Sequence, residues 1–587
     1  MQGFFKRLLN IDLSNRTHED ETLDEDLLRD HLGGKGLGTH LLLERNPPGV
    51  DPLAPESRLI FALGPASDSG VYGSCRHGIF AKSPLTGFYG ESYSGGSLAI
   101  PMSRTGYDAF ILSGASPGPV WLEITDGSVV FHDAQDLWGM DTHETEAAVK
   151  KRVDDSKAGV VVIGPAGENR VRFAVVKNDG WRVAGRTGMG AILGAKKIKA
   201  VVFRGARTRP FADPDGIKAY SRRMIKELKD HAATQAYRSK GTPMMVEIMN
   251  KAGAFPARYW SEGSRNGWEG ISAQSMADRC NARPMACRTC FMACGKSIEV
   301  QQGRHKGLKL EGPEYETIYA FGGLCLIDRI EEVAYLNDLC DRLGIDTISA
   351  GNLAAFAIEA ARRGKIDEPL AYGDSDAVAD LLQKMSAREG LGDLLARGIQ
   401  PASRELGLEE IAVHVKGMEP AGYDPRSLKG MGLAYAVSDR GACHLRSTFY
   451  KAELSGMIAP DAIEGKAALF LDFESRCTLF DCLVLCRFYR DFYPWEDLSR
   501  VIALTTGLSL DKPGLEDIAS RVIDNTRRFN LREGLSADDD RLPKRLVKEE
   551  LKDGRRITEE EMHTLVQDYY RLRGWNEKGI PYSKEAT

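Results

Sequence analysis

Two textures of hydrophobic patterning divide the chain. Up to about residue 205, short apolar runs such as "SRLIFALGP", "DAFILSG", "VWLEITDG" and "AGVVVIGP" alternate with turns of Gly, Pro, Asp and Ser. That pattern predicts short strands. The last run, "KKIKAVVFRGARTRP", passes into a proline-containing linker. Beyond it, "GIKAYSRRMIKELKDHAATQAY", "IEEVAYLNDLCDRLG" and "SAGNLAAFAIEAARRG" repeat apolar residues every three or four positions and predict amphipathic helices. The chain therefore reads as α+β, with a β-rich domain over 1–210 followed by mainly helical sequence. The Gly- and Pro-dense stretch "VKGMEPAGYDPRSLKG" (415–430) predicts a boundary between helical domains 211–417 and 418–587. No tandem repeat of fixed period is visible. From about 534 onward the chain is dense in charge and reads as a solvated surface.

Composition narrows the class. A chain of 587 residues exceeds one ordinary core and implies about two to four domains. Hydrophobic content of 42% and charged content of 27% fit a globular protein. A net charge of -5 argues against coating nucleic acid or an anionic membrane. No apolar run approaches the roughly 20 residues of a membrane span. The first residues, "MQGFFKRLLNIDLSNRTHED", show no export signal, so a cytoplasmic location is expected. Eleven cysteines, an odd number, then suggest metal or redox chemistry rather than cross-links.

The stretch "RPMACRTCFMACGK" sets Cys287, Cys290 and Cys294 in a C-x2-C-x3-C loop that can aim three sulfurs at one centre. Structural zinc usually takes two C-x2-C pairs, or one pair followed by two histidines, and neither follows here. A [4Fe–4S] cube takes four thiolates, often three close together and one remote, and is the preferred reading over zinc or plain buried cysteines. Chemistry alone leaves Cys325, Cys340, Cys443, Cys482 and Cys486 open as the fourth ligand.

Several segments, taken in order, cover nearly the entire chain: "HLGGKGLGTHLLLE", "AKSPLTGFYGESYSGG", "GWRVAGRTGMGAILGAKKIKAV", the cysteine triplet, "EGPEYETIYAFGG", "DRLGIDTISAGNLAAFAIE", "KGMEPAGYDPRSLKGMGLAYAVSDRGACHL" and "DCLVLC". Together they resemble the aldehyde:ferredoxin oxidoreductase family of tungstopterin enzymes. The resemblance implies a pterin-cradling β domain over 1–210. The helical domain 211–417 then carries the triplet and "DRLGID", the domain 418–587 carries "DCLVLC", and the cofactor lies at the junction. It also implies that Cys486 closes the cluster, ending a motif the family writes D-x-x-G-L-C, with Val484 standing where the family has glycine.

Asp481 in that motif and Asp341 in its twin, "DRLGID", resemble the family's two pterin clamps, since a carboxylate can accept two ring N–H donors. Alone, "DRLGID" would read as a helix ending in glycine. In the same way Arg182, Val183, Gly185 and Arg186 of "WRVAGRTGMG", together with Ile345, Asp346 and Arg487, become contacts to pterin and phosphate. Arg76 matches an arginine between cluster and pterin. Tyr93 and Gly95 fall in "SYSGG", where the family often has Asn at the position of Tyr93. A magnesium ion between the pterin phosphates would then rely on backbone carbonyls rather than that side chain.

The chemistry the resemblance implies is oxidation of an aldehyde with water to a carboxylic acid at a tungsten (or molybdenum) bis-pterin centre. Electrons would leave singly through the [4Fe–4S] cluster to ferredoxin or a small ferredoxin-like subunit. Glu316 matches the family's active-site glutamate, with Glu314 second, and His444 in "GACHLR" its histidine. The two glutamates would share a face if "GPEYET" is extended. Without the resemblance they would read as surface carboxylates and a buried structural histidine. Cys325 in "FGGLC" reads as a core cysteine, with approach to the metal as the second reading. An E-x-x-H iron site between subunits is not expected, because no histidine follows Glu331 or Glu332 at that spacing; a homodimer or hetero-oligomer stays open. Two rivals are the catalytic subunit of a tungsten-dependent aryl-CoA (benzoyl-CoA) reductase and, from another class, a non-catalytic electron-transfer subunit.

Overall fold

The computed structural model describes residues 1–582 of the 587. Six strands form the first sheet: β1 (Arg7–Asp12), β2 (Thr17–Thr22), β3 (Leu59–Ala62), β4 (His77–Lys82), β5 (Tyr89–Ser94) and β6 (Ala109–Ser113). Six more form the second: β7 (Val120–Ile124), β8 (Val129–Asp133), β9 (Gly159–Val162), β10 (Val176–Asn178), β11 (Arg182–Ala184) and β12 (Ile198–Phe203). The orders are β2-β1-β6-β3-β4-β5 and β8-β7-β12-β9-β10-β11. Adding six to each strand number turns one sheet into the other, down to the single parallel pair in each, β1 with β6 and β7 with β12. The N-terminal region is thus an architectural duplication, although its sequence shows no fixed-period repeat.

Period-two alternation explains how the sheets stack. Leu9, Ile11, Leu59, Phe61, Phe110 and Leu112 of the first sheet meet Val120, Leu122, Val161 and Val201 of the second in one shared core. The intervening positions Leu8, Ile60 and Ile111 face outward against Leu37, Leu41 and Leu42 of helix Gly34–Arg45. On the far side, Trp121, Val160, Val162 and Val202 pack with Val149 of helix Thr142–Val153. The inner strands are buried on both faces, which is why they read as short continuous apolar runs, whereas the edge strands β2 and β8 are largely exposed.

The remainder is mainly helical, as the three- and four-residue spacing predicts. Its exception is a small antiparallel sheet of β13 (Arg283–Met285), β14 (Gly295–Glu299) and β15 (Lys309–Glu311). The cysteine triplet forms the loop between β13 and β14. Segment 415–430 runs buried through this half, and one hydrophobic cluster includes Ile358 and Val413 before it and Met431, Phe470 and Tyr569 after it. The expectation of a solvated surface after 534 fails at Asp540 and Arg545, which are 4% and 5% exposed. Asp540 is inside because it answers two buried cations, Lys416 at 2.7 Å and Arg527 at 2.6 Å, and a buried charge persists only when paired. Among the described residues no helix is long and apolar enough to cross a membrane.

Two close backbone approaches join the halves. The loops after β3 and β9 both read Gly-Pro-Ala, at 64–66 and 164–166. A Cβ at Gly64 would sit 2.2 Å from the carbonyl oxygen of Leu483, and one at Gly164 would sit 2.4 Å from that of Leu343. Each duplicated loop therefore receives the C-terminus of one helix, Lys466–Leu483 or Ile330–Leu343. Replacing Gly64 by Ala forces a clash with backbone that cannot yield cheaply, and should destabilise the protein by about 1–3 kcal/mol. Gly118→Ala, where an added methyl meets nothing, should stay within about 0.5 kcal/mol of the parent. Denaturant midpoints of the two variants check this; equal midpoints would remove the docking role of the loop.

Candidate active site

Every site residue expected from the sequence lines a single cavity of about 410 Å³. The duplicated sheets contribute equivalent elements. Arg76 precedes β4, Tyr93 lies in β5 and Gly95 follows it; Arg182 and Val183 lie in β11, with Gly185 and Arg186 just beyond. The helical half contributes the two helix ends. Asp341 stands in the last turn of Ile330–Leu343, with Ile345 and Asp346 after it, and Asp481 stands in the last turn of Lys466–Leu483, followed by Cys486 and Arg487.

The remote cysteine reaches the triplet through shared partners. Gly73 donates its N–H to the Thr289 carbonyl at 3.2 Å and accepts the Cys486 N–H at 2.9 Å, bridging both segments. The Tyr489 hydroxyl donates to Cys290 Sγ at 3.4 Å and accepts from the Phe291 N–H at 3.0 Å. Among the described residues no three His, Cys, Asp or Glu side chains close on a single ion; the thiols stand around one edge of the cavity. Burial, then the neighbouring thiols, push Cys290 up, and burial followed by Glu314 pushes Cys294 up. Four crowded thiols lose their protons together only to a cationic group, which fits an iron–sulfur cube. Space fits too: a Cβ at Gly95 would lie 3.0 Å from Cys287 Sγ. Of the other sequence candidates, Cys325 is fully buried, donates to the Gly351 carbonyl at 3.4 Å and lies off the cavity. Cys340 and Cys482 are likewise buried away from it, whereas Cys443 lines it and accepts from Arg440 Nη2 at 2.9 Å.

A fifth thiol at this edge, Cys75, escaped the sequence reading. The closeness of Cys75 and Cys287 is the largest influence on both groups, raising Cys75 and, with Arg182 and Arg76 helping against burial, lowering Cys287. Only its place beside Arg76 in "SCRHG" could have hinted at it.

The clamp aspartates differ in how they are held. Burial pushes Asp341 up to about 6 against the pull of Lys177, and Asn337 Nδ2 donates to its Oδ2 at 3.0 Å. Asp481 spends Oδ2 on two arginines, Arg446 at 2.5 Å and Arg487, leaving Oδ1 without a protein donor. Spare acceptor capacity on two buried carboxylates suits two pterin rings. Asp346 is more occupied: it caps helix Thr347–Arg362 through the N–H groups of Ile348 and Ser349, and meets Arg186 Nε at 3.0 Å. Arg182 pairs with Glu311. The phenol of Tyr93 donates to Glu91 at 2.6 Å and its carbonyl accepts from Arg76 Nη2 at 3.0 Å, so neither is idle. Glu91 and Arg446 were also missed by the sequence reading, because each stands in a segment whose role appears only across the sheet–helix interface.

One local expectation is corrected. "GPEYET" is not extended: Glu314 is the residue before a helical turn, Tyr315–Thr317, so Glu314 and Glu316 do not share a face. Glu314 turns to the Thr242 hydroxyl. Glu316 Oε2 accepts the Gly422 N–H at 2.9 Å, while Oε1 faces His444 Nε2 at 3.4 Å, a contact without a formed hydrogen bond. Burial pushes Glu316 up to about 7, opposed by the Gly422 N–H and Arg186. Burial and four arginines, Arg440, Arg186, Arg446 and Arg490, hold His444 far below its ordinary value, so its imidazole is neutral. A carboxyl poised in this way can take up and release a proton near neutral pH.

Comparison with known proteins gives concordant matches. Residues 8–205 match the profile described as aldehyde ferredoxin oxidoreductase, N-terminal domain, and residues 219–586 that of its domains 2 and 3. A tungsten-containing aldehyde ferredoxin oxidoreductase of Pyrococcus furiosus is 34% identical over 599 residues, spanning 100% of this chain and 98% of that protein. An aliphatic sulfonate oxidoreductase, WOR-like subunit, of the same organism is 28% identical, spanning 99% and 96%. Among solved structures, the active site complex BamBC of benzoyl coenzyme A reductase with 1,5 dienoyl-CoA superposes at a TM-score of 0.85 over 99% of this chain and 96% of that one. At 24% identity, that likeness is one of fold.

If Cys486 completes the set of thiolates, Cys486→Ala protein purified without oxygen should hold far fewer than the roughly four irons per chain of a cube. Cys482→Ala, buried off the cavity, should keep them. Iron and sulfide analysis decides; equal iron in both variants would remove Cys486 from the ligand set.

Proposed function

The chain belongs to the aldehyde ferredoxin oxidoreductase family, and on that premise we propose that it oxidises an aldehyde to a carboxylic acid at a tungsten bis-pterin centre in the cavity. A [4Fe–4S] cluster held by the cysteines would supply the one-electron route out to ferredoxin or a ferredoxin-like subunit. The observation that carries this reading is Glu316, a buried carboxyl raised to about 7 beside a neutral histidine, on the wall of a cavity whose other groups suit an anionic cofactor.

Asp341 and Asp481 would hold the two pterins by their ring N–H groups. Arg182, Arg186 and the backbone around Gly185 would take the phosphates and any magnesium bound to them, Arg76 would serve between cluster and pterin, and Cys287, Cys290, Cys294 and Cys486 would hold the cube. Bound there, the metal supplies a two-electron acceptor and the cube a one-electron relay. The remaining chemistry is acid–base work. Aldehyde and water give carboxylate, two electrons and three protons, so the water must lose its protons as its oxygen bonds to carbon. Ionised Glu316 takes the first of them. Its Oε1 has no hydrogen-bond partner and faces His444 Nε2 at 3.4 Å, so a neutral imidazole can hold the carboxyl in place while the proton stays on Glu316, the more basic of the two. Tyr423 stacks on His444 at 5.4 Å and fixes the ring for that contact. Eleven free cysteines, with no disulfide among the described residues, suit a reducing cytoplasm.

A base must be ionised to act, so turnover should rise with pH through about 7 and level off above it. Glu316→Gln should lower kcat by about 10²–10⁴ and abolish that rise while leaving KM little changed. Protein carrying tungsten or molybdenum, assayed with a panel of aldehydes and a viologen acceptor, provides the measurement. A Gln variant within threefold of the parent, or reduction of an aryl-CoA thioester with no aldehyde oxidised, would overturn the reading.

A further inference from the structure

Of the arginines lining the cavity, Arg490 and Arg76 meet no carboxylate or thiol and donate only to a backbone carbonyl, and of the two only Arg490 is buried. Arg182, Arg186, Arg446 and Arg487 each meet a carboxylate. Arg440 donates to Cys443 Sγ and to the Glu91 carbonyl, and Arg76 donates to the Tyr93 carbonyl. Arg490 is 7% exposed, yet its hydrogen bonding is limited to one contact, Nη1 to the Arg487 carbonyl at 3.0 Å. Its Nε is buried without a partner, and among the described residues no carboxylate lies within ion-pair distance of it. The adjacent Asp491 is half-exposed and engaged by Lys451. Keeping a guanidinium desolvated and unpaired costs free energy that a bound anion would recover.

The neighbours of Arg490 also offer donors. Its guanidinium carbon lies 6.0 Å from the centre of the Tyr450 ring. Burial works against its charge, but the phenols of Tyr450 and Tyr237, then Asp491, hold its pKa above the ordinary value, which places both phenols close to it. Neither phenol oxygen has a hydrogen-bond partner among the described residues, and both side chains line the cavity. An aromatic wall connects this corner to the acid–base pair: His444 to Tyr423 at 5.4 Å, and Tyr423 stacked on Tyr450 at 4.3 Å. Tyr237 packs on Phe488 at 4.6 Å, and Met245 completes the apolar surface.

We propose that Arg490, Tyr450 and Tyr237 form an anion subsite that selects aldehydes carrying a carboxylate across a ring-sized apolar body from the reacting carbon. The inference rests on the aldehyde-oxidising reading above and deepens it to a substrate class. An Arg–carboxylate contact supported by two phenols fixes the far end of the substrate, and the tyrosine wall packs against its ring. The subsite acts first on binding and orientation; Arg490 is also one of the four arginines that keep His444 uncharged, so its loss can lower turnover of both substrates, and the ratio between them is what reads the subsite.

The test compares benzaldehyde with para-carboxybenzaldehyde on the metal-loaded enzyme, with a viologen acceptor. The parent should favour the carboxylated substrate by about 10- to 100-fold in kcat/KM, mostly through KM. Arg490→Gln should bring the ratio of the two substrates close to one. Arg490→Lys should restore part of it, and Tyr450→Phe, which keeps the ring and removes the hydroxyl, should give an intermediate ratio. Iron and tungsten contents equal to those of the parent establish that the variants assemble. A parent ratio near one, or an equal loss on both substrates in Arg490→Gln, would overturn the subsite while leaving aldehyde oxidation standing. Should neither aldehyde turn over, the function proposed above fails, and calorimetry with redox-inert terephthalate still decides the subsite. Binding by the parent that Arg490→Gln abolishes supports it, and absence of binding to the parent refutes it.

Discussion

The site depends on two places where backbone meets backbone without a side chain between. Gly64 and Gly164 let the loops after β3 and β9 close on the carbonyls of Leu483 and Leu343. Those carbonyls terminate the helices whose last turns carry Asp481 and Asp341. The two sheets repeat one topology, so the two aspartates enter one cavity as an approximate pair. A methyl group at either glycine would push a helix end away and move its carboxylate with it. The duplicated Gly-Pro-Ala loops thus convert a symmetric scaffold into a two-fold cradle, which is the shape two copies of one organic cofactor require.

Charge explains why the cradle stays open rather than collapsing. A run of buried groups, Lys35, Glu91, Arg446, Asp481 and Arg487, crosses from the first sheet to the second helix end. Each member is held by the next, so none is free to move into the cavity, and desolvating such a chain is tolerable only because every charge in it is paired. At the substrate end the logic reverses. There Glu316 is raised towards neutrality and His444 is kept uncharged, in part by Arg446 of that same network. One cavity therefore holds fixed, paired charges beside a carboxyl that titrates near neutral pH.

The residues legible in the sequence were those that chemistry ties to a spacing. Three sulfurs on one loop must sit close in the chain to work, and Cys287, Cys290 and Cys294 could be read for that reason. Asp341, Asp481 and Cys486 came only from the resemblance to the family's motifs, since "DRLGID" alone reads as a helix ending in glycine and spacing left five cysteines open as the fourth ligand. Cys75, Glu91, Arg446 and Arg490 act across segments tens to hundreds of residues apart, so no local pattern marks them. The sheet duplication was hidden for a related reason: strands fix only alternation and burial, and many sequences satisfy both. Local geometry failed once, at "GPEYET", where a helical turn replaced the extended segment and separated Glu314 from Glu316.

Val484 shows how a departure from a motif is absorbed. The residue adopts φ 53° and ψ 45°, the left-handed region in which a β-branched side chain costs roughly 1–2 kcal/mol relative to glycine. The turn forms nonetheless, and Cys486 reaches the triplet. Space opposite provides the reason: a Cβ on Gly34 would lie 2.5 Å from Val484 Cγ2, so the absent methyl of Gly34 is the room the valine occupies. Val484 is 1% exposed, and burial of its side chain contributes about 1.5–3 kcal/mol, enough to offset the backbone strain. The glycine that this turn would otherwise demand stands instead at Gly34, on the helix packed against it, and the position of Asp481 is preserved.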